Sequence, residues 1–130
     1  MSVSLKVVGA ITLFVADPQH SKAFYSEAFD GELVYEDESS AAFTFENLLV
    51  NLLAVSTAGE LIEPARVGAA GSEPRFQLTI WVGDADAACT ELSSRGVELL
   101  NGPIDRDWGM RTAAFADPDG NVWEIAQELG

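Results

Sequence analysis

The amino-acid sequence predicts an α+β fold made of two tandem βαβββ repeats that share one core. The strand-to-helix segment "FVAD" at 14–17 recurs as "WVGD" at 81–84, a shift of 67 residues. A glycine follows each predicted helix, and three short apolar segments follow each glycine. Because each half is too small to bury its own sheet well, we expect one domain over residues 1–130.

The first repeat is predicted to span about residues 5–56. Its first strand lies in "LKVVGAITLFV", which is rich in β-branched residues. Asp17 is a good helix N-cap and Pro18 suits the first helical position, where a missing N–H has no cost. Gly31 is predicted to end this helix. Strands are expected at about 32–37, 41–46 and 49–55.

The second repeat is predicted to span about residues 74–128, after a Gly-, Ala-, Glu- and Pro-containing loop at 57–73. "RFQLTIWV" is its first strand, and Asp84 and Gly96 bound its helix. Strands are expected near 97–103, 110–116 and 121–127. The segment "DPDG" predicts the last turn, with Gly120 supplying a positive φ.

The charge of the chain is strongly negative. Seven Lys and Arg residues stand against 21 Asp and Glu residues, a net charge of −14. Such a chain repels nucleic acid and anionic membranes, so neither is an expected partner. We find no membrane-spanning apolar run and no signal-peptide pattern at the start. Cys89 is the only cysteine and cannot form an internal disulfide. We therefore expect a cytoplasmic protein.

Three segments that cover much of both repeats point to a known family. "ITLFVADPQHSKAFYSEAF", "LTIWVGDADAACTELSSRGVEL" and "GMRTAAFADPDGNVWEIAQ" resemble the vicinal oxygen chelate superfamily, also called the glyoxalase/bleomycin resistance/dioxygenase superfamily. The resemblance implies paired βαβββ modules whose sheets curl into a cupped mixed sheet. It also implies a homodimer and, in metal-dependent members, a divalent ion held by strand side chains.

The family's metal positions can be followed onto this chain one at a time. The two positions that are usually His, each seven residues before the aspartate that follows the strand, fall on Ala10 and Gln77. The position that is usually Glu falls on Glu124, and its first-repeat counterpart falls near Asn51. Zn, Ni, Fe or Mn needs about three or four good donors, and this set offers one carboxylate and no imidazole. We expect no metal and no cofactor, with a divalent metal as the alternative.

Strand alternation extends these positions into a candidate ligand-binding surface. If Ala10 and Gln77 face the cup, so do the residues two and four positions further along each strand. The resulting lining is apolar and aromatic with a few polar groups, as in most small-molecule pockets. The predicted ligand-binding residues are Thr12, Phe14, Asn51, Gln77, Thr79, Trp81, Trp108, Arg111 and Glu124.

Three of these residues have alternative roles. Trp108 is a lid over the cup, a core residue or a dimer contact. Arg111 pairs with Glu124, contacts an acidic ligand or is solvated. Glu124 is a structural hydrogen-bonding partner of Gln77 or Thr79, a general base in apolar surroundings, or the partner of a cationic group on a ligand.

Two functions follow from this reading. The first is a metal-independent small-molecule-binding protein of the bleomycin-resistance type, which sequesters a drug or secondary metabolite. The missing metal ligands and the aromatic residues Phe14 and Trp81 favour it. The alternative is an enzyme, a glyoxalase-like lyase or isomerase that acts on a carbonyl metabolite, with Glu124 as the catalytic base or a metal ligand.

Overall fold

A computed structural model of the chain describes residues 3–69 and 71–130. Within these residues it contains eight strands and three helices. The chain divides into two compact units between Gly68 and Ala69. The first unit contains β1 (Ala10–Val15), α1 (Pro18–Ala28), β2 (Glu32–Glu36), β3 (Ser40–Thr44), β4 (Leu49–Ala54) and α2 (Val55–Ile62). The second contains β5 (Gln77–Trp81), α3 (Ala85–Ser94), β6 (Leu99–Asp105), β7 (Met110–Ala116) and β8 (Val122–Glu128).

The two units have the same sheet topology. The first sheet has the order β1-β4-β3-β2, and the second has the order β5-β8-β7-β6. In each sheet the first strand is parallel to the last, while the other neighbours are antiparallel. The registers also correspond, because Thr12 lies opposite Asn51 and Thr79 lies opposite Glu124. This topology confirms the α+β fold and the two βαβββ repeats.

The core of the first unit lies between α1 and one face of its sheet. Asp17 caps α1, where its carboxylate accepts hydrogen bonds from the backbone N–H groups of the first turn. The Tyr25 ring on α1 stacks on Phe29 with centroids 5.5 Å apart and contacts Phe43. The buried sheet residues on this side are Leu13, Val15, Ala41, Phe43, Val50, Leu52 and Ala54.

The core of the second unit lies between α3 and its sheet. Asp84 caps α3 by accepting a hydrogen bond from the N–H of Ala87. Gly96 ends the helix at φ +85°, and the N–H of Val97 reaches back to the carbonyl of Leu92. This is the Schellman arrangement that a glycine favours. The buried residues include Ala85, Cys89, Leu92, Ala113, Phe115, Trp123 and Ile125.

The structure differs from the sequence prediction at two places in the first unit. Gly31 does not cap α1: the helix ends at Ala28, and its C-cap is Phe29, which is in an extended conformation. A Cβ on Gly31 would lie 2.9 Å from the carbonyl of Thr44, so the glycine permits a close approach of two backbones. The expected loop at 57–73 begins within α2, which extends to Ile62 and buries Ala58 completely.

The turn between β7 and β8 is built around a buried carboxylate. Asp117 is 5% exposed, and its Oδ1 accepts hydrogen bonds from the N–H groups of Asp119 and Asn121. Its Oδ2 accepts a third from the side-chain amide of Asn121. Gly120 has the positive φ, +87°, that the sequence predicted. The turn therefore fixes the start of β8, the strand that carries Glu124.

None of the helices in the described part of the chain combines the length and apolar character that crossing a membrane requires.

Candidate functional site

The second unit carries a sheet face opposite to α3, which we call the Glu124 face. Glu124 accepts a hydrogen bond at Oε1 from Thr79 Oγ1 over 2.9 Å. Trp123 and Ile125, its neighbours on β8, are buried on the other side. Glu124 is half-buried, and its Oε2 is bonded to none of residues 3–69 and 71–130. The carboxylate thus keeps free acceptor capacity on this face.

The first unit repeats this arrangement with a neutral pair. Asn51 Nδ2 donates a hydrogen bond to Thr12 Oγ1 over 3.3 Å, between register partners on β4 and β1. Phe14 lies two residues beyond Thr12 on the same side of β1 and is half-buried. The predicted residues of this repeat therefore lie together on one face of the first sheet. They provide amide and hydroxyl groups but no charge.

Register partners extend the Glu124 face across the sheet. One row joins Thr79, Glu124 and Ala114, and the next row joins Trp81, Ala126 and Thr112. Partners in a sheet project to the same side, so these side chains share one surface. Gln77 lies on the same side of β5, two residues before Thr79. The surface beside Glu124 lies close to the sheet backbone, because Ala114 and Ala126 have short side chains.

The two predicted tryptophans of this unit are exposed. Trp81 at the end of β5 is 70% exposed, and so is Trp108 in the β6–β7 turn. Trp108 therefore does not fill the core, and its roles as a lid or a dimer contact stay predictions. Its position is set by Gly109, whose φ of +83° closes the turn with a hydrogen bond to the carbonyl of Arg106.

Arg111 is directed away from Glu124. It is the register partner of Asp105, and its guanidinium donates to that carboxylate through Nε over 2.6 Å. Its Nη1 donates to Asp86 on α3 over 3.1 Å. Both aspartates raise the pKa of Arg111, and Arg111 lowers the pKa of Asp105. Arg111 thus ties β7 to the helix, on the face opposite to Glu124.

Sequence reasoning missed Arg106, the basic residue that does lie on the Glu124 face. Its Nε donates to Thr112 Oγ1 over 2.9 Å, and Thr112 is only 4% exposed. Thr112 is the register partner of Ala126, two residues from Glu124 on β8. The guanidinium is therefore held next to the row that contains Trp81. Alternation alone could not reveal this, because β6 contains two register shifts between Leu99 and Ile104.

A hydrogen-bonded cluster around a single carboxylate, Asp37, lies at the edge of the first sheet. Tyr35 is the register partner of Ala42, on the face that carries Asn51. The Tyr35 hydroxyl donates to Asp37 over 2.7 Å, and the N–H of Ser39 and the hydroxyl of Ser40 also donate to it. These bonds, led by that from Tyr35, lower the pKa of Asp37 to about 2. Asp37 therefore orders the β2–β3 turn as an anion.

The residues at the family's metal positions fit a divalent ion poorly. In the second unit Gln77 and Glu124 share a face but offer one amide and one carboxylate that is already bonded to Thr79. In the first unit Asn51 is the only donor, since Ala10 has none. No group of three or more His, Cys, Asp or Glu side chains within residues 3–69 and 71–130 is placed to hold a metal ion. This donor set differs from the three or four strong ligands of a transition-metal site.

Comparison with known families decides which fold family is present. The model of the Glyoxalase/Bleomycin resistance protein/Dioxygenase superfamily matches residues 7–125. The chain belongs to this superfamily. The chain is also similar to the uncharacterized protein YraH of Bacillus subtilis (strain 168), with 30% identity over 123 residues. That alignment covers 92% of this chain and 96% of YraH.

Solved structures show the same glyoxalase fold. A glyoxalase/bleomycin resistance protein/dioxygenase from Nocardioides has a TM-score of 0.87 at 22% identity, covering 98% of this chain and 87% of that one. Lactoylglutathione lyase from Agrobacterium tumefaciens has a TM-score of 0.76 at 18% identity, covering 95% of each chain. At these identities the similarity establishes the superfamily fold and not the activity.

Proposed function

We propose that this superfamily member is a metal-independent small-molecule-binding protein, which sequesters a drug or secondary metabolite. The observation that carries the proposal is that the family's metal positions hold Gln77 and a Glu124 carboxylate that is already hydrogen-bonded to Thr79. Thr79 takes up one oxygen of Glu124, and Gln77 stands where metal-dependent relatives usually have His. A carboxylate held in this way is suited to accept a hydrogen bond from a ligand.

The surroundings of Glu124 support binding of a small organic molecule. Trp81 offers an exposed aromatic face on the same side of the sheet, and Ala114 and Ala126 leave space above the strands. Aromatic faces with a few directed polar groups are typical of ligand sites. A homodimer, which the family resemblance implies, belongs to the same proposal.

Metal content and ligand binding test this proposal together. We expect the purified protein to contain no stoichiometric Zn, Ni, Mn or Fe by elemental analysis, and its Tm to stay unchanged when these ions are added. A specific ion whose free concentration is 100 times its Kd would stabilise the folded state by about 2.7 kcal/mol and raise Tm by several degrees. A panel of planar aromatic compounds, carrying cationic, neutral or acidic groups, is then screened by thermal shift and confirmed by calorimetry.

The outcomes separate the two functions. Binding of a panel compound that is weakened by Glu124→Gln supports the binding protein. Stoichiometric metal, or a metal-dependent rise in Tm, would overturn metal independence. The free Oε2 of Glu124 also suits a general base, so the panel compounds with a carbonyl group are assayed for turnover. Turnover that Glu124→Gln abolishes would establish the enzyme instead.

A further inference from the structure

Arg106 differs from every other half-buried basic side chain in the described part of the chain. Lys22 pairs with Glu36, Arg95 pairs with Glu91, and Arg111 pairs with two aspartates. Arg106 is equally half-buried, and none of the described residues forms an ion pair with it. A partly buried cation without a counter-charge is unfavourable, and this chain has 21 acidic residues that could supply one.

The guanidinium of Arg106 is nevertheless held in a fixed orientation. Its Nε donates to the hydroxyl of the buried Thr112 over 2.9 Å. The two Nη groups have no hydrogen-bond partner within residues 3–69 and 71–130. These two groups form the edge of a guanidinium that binds two oxygens of one anion side by side. Thr112 thus orients the Arg106 guanidinium, whose two Nη groups are bonded to none of the described residues.

The charges around this guanidinium affect the kind of anion that it binds. Glu124 lies on the same face as Thr112, at a diagonal position roughly 7–8 Å away between Cα atoms. Glu128 shares this side of β8, two residues beyond Ala126. These two carboxylates weaken the positive potential at the guanidinium, which reduces the advantage of a doubly charged group such as a phosphate monoester. Recognition therefore depends on the two parallel N–H···O bonds of the guanidinium, which fit the two oxygens of one carboxylate.

We propose that Arg106 is the specificity-determining residue of the Glu124 face and binds the carboxylate of an aromatic small molecule. The ligand's hydrogen-bond donor, an amide N–H, amine or hydroxyl, contacts the free oxygen of Glu124. Its ring lies against Trp81, which belongs to the same row of register partners as Thr112. This inference rests on the proposed binding function and adds the class of ligand. A cation of this kind would give an acid a favourable contact in a chain of net charge −14.

The test uses N-benzoylglycine, which has an aromatic ring, an amide N–H and a carboxylate. Its primary amide, N-benzoylglycinamide, is the neutral counterpart, and phenyl phosphate is the dianionic one. Binding is followed by ¹H–¹⁵N NMR through the Arg106 Nε–H signal and the indole N–H signals of Trp81 and Trp108. The buried Trp123, 3% exposed, reports on the fold. The variants are Arg106→Gln and the matched control Arg75→Gln, which alters an exposed arginine before β5.

We expect the acid to shift the signals of Arg106 and Trp81 and to bind at least tenfold more tightly than its amide. Arg106→Gln should remove this advantage without shifting Trp123, and Arg75→Gln should retain it. Equal binding of acid and amide, or an acid affinity unchanged in Arg106→Gln, would overturn the role of Arg106 while leaving the binding function intact. Tighter binding of phenyl phosphate would overturn the carboxylate assignment. No shift of the Arg106 and Trp81 signals with the acid at millimolar concentration would overturn the assignment of Arg106, while the binding function is decided separately by the wider compound panel.

Discussion

Glu124 on β8 accepts a 2.9 Å hydrogen bond from Thr79, its register partner on the parallel strand β5. The same pair of positions in the first repeat holds Thr12 and Asn51, which share a longer bond of 3.3 Å. One repeat thus carries an ionisable pair and the other a neutral pair. Mutation of each threonine can measure how much the two hydrogen bonds differ in their contribution to stability.

Replacing Thr79 by valine should destabilise the protein by about 1–2 kcal/mol, because the half-buried carboxylate loses its charged hydrogen bond. The matched change Thr12→Val removes the longer neutral bond of an exposed threonine and should cost about 0.5 kcal/mol or less. Urea denaturation followed by tryptophan fluorescence measures both. Equal effects of the two changes would show that the Thr79–Glu124 bond adds no stability beyond that of a neutral pair.

Replacing Gly102 by alanine should destabilise the protein by about 2–4 kcal/mol. The residue has φ +91°, and a Cβ there would lie 2.6 Å from the backbone of Ala113 on β7. Gly83→Ala is the control, since a Cβ at Gly83 meets nothing within 4 Å. Thermal unfolding distinguishes them. A Gly102→Ala protein as stable as Gly83→Ala would contradict the close approach of β6 to β7.

Replacing Asp117 by alanine should cost about 2–3 kcal/mol, because the N–H groups of Asp119 and Asn121 lose the acceptor that the buried carboxylate provides. Asp107→Ala, in the exposed β6–β7 turn, should change stability by no more than about 0.5 kcal/mol. Chemical denaturation gives both values. Hydrogen exchange at the N–H of Asn121 reports on the turn itself and should accelerate only in Asp117→Ala.

Replacing Tyr35 by phenylalanine should raise the pKa of Asp37 from about 2 towards the ordinary value of 3.8, because the phenol is its largest stabilising partner. A lowered pKa means that the anion stabilises the folded state above the unfolded pKa, and that this contribution disappears as the pH falls through about 2. The stability difference between the two proteins should therefore be present at pH 7 and vanish in strong acid. NMR titration of the Asp37 carboxyl carbon measures the shift, and an unchanged pKa would contradict it.

The parts of the fold that the sequence predicted are those encoded locally. Asp17 and Asp84 cap their helices through bonds to nearby N–H groups, and Gly96 and Gly120 adopt positive φ where only glycine is comfortable. Helix α2 was not predicted from the sequence. It contacts β4, the strand directly before it, and also β1, which is distant in the sequence, and the second of these is a tertiary contact that spacing along the chain does not specify.

The candidate site was predicted less completely, for a reason of register. Alternation from Glu124 correctly indicates the side chains that share its face on β5 and β8. Arg111 and Arg106 belong to a hairpin whose first strand contains two register shifts, so that counting along the chain does not reveal which arginine faces which side. The ion pairs of Arg111 with α3 and Asp105 are tertiary contacts that sequence spacing does not specify.

The neighbours Arg111 and Thr112 brace β7 from both sides. Arg111 anchors the strand to α3 through Asp86, while Thr112 holds Arg106 on the opposite face. These two contacts hold the strand that supports the Arg106 guanidinium on both of its faces. If this group binds a carboxylate as we propose, it would lose less rotational freedom on association than an arginine without such support, and this would favour affinity.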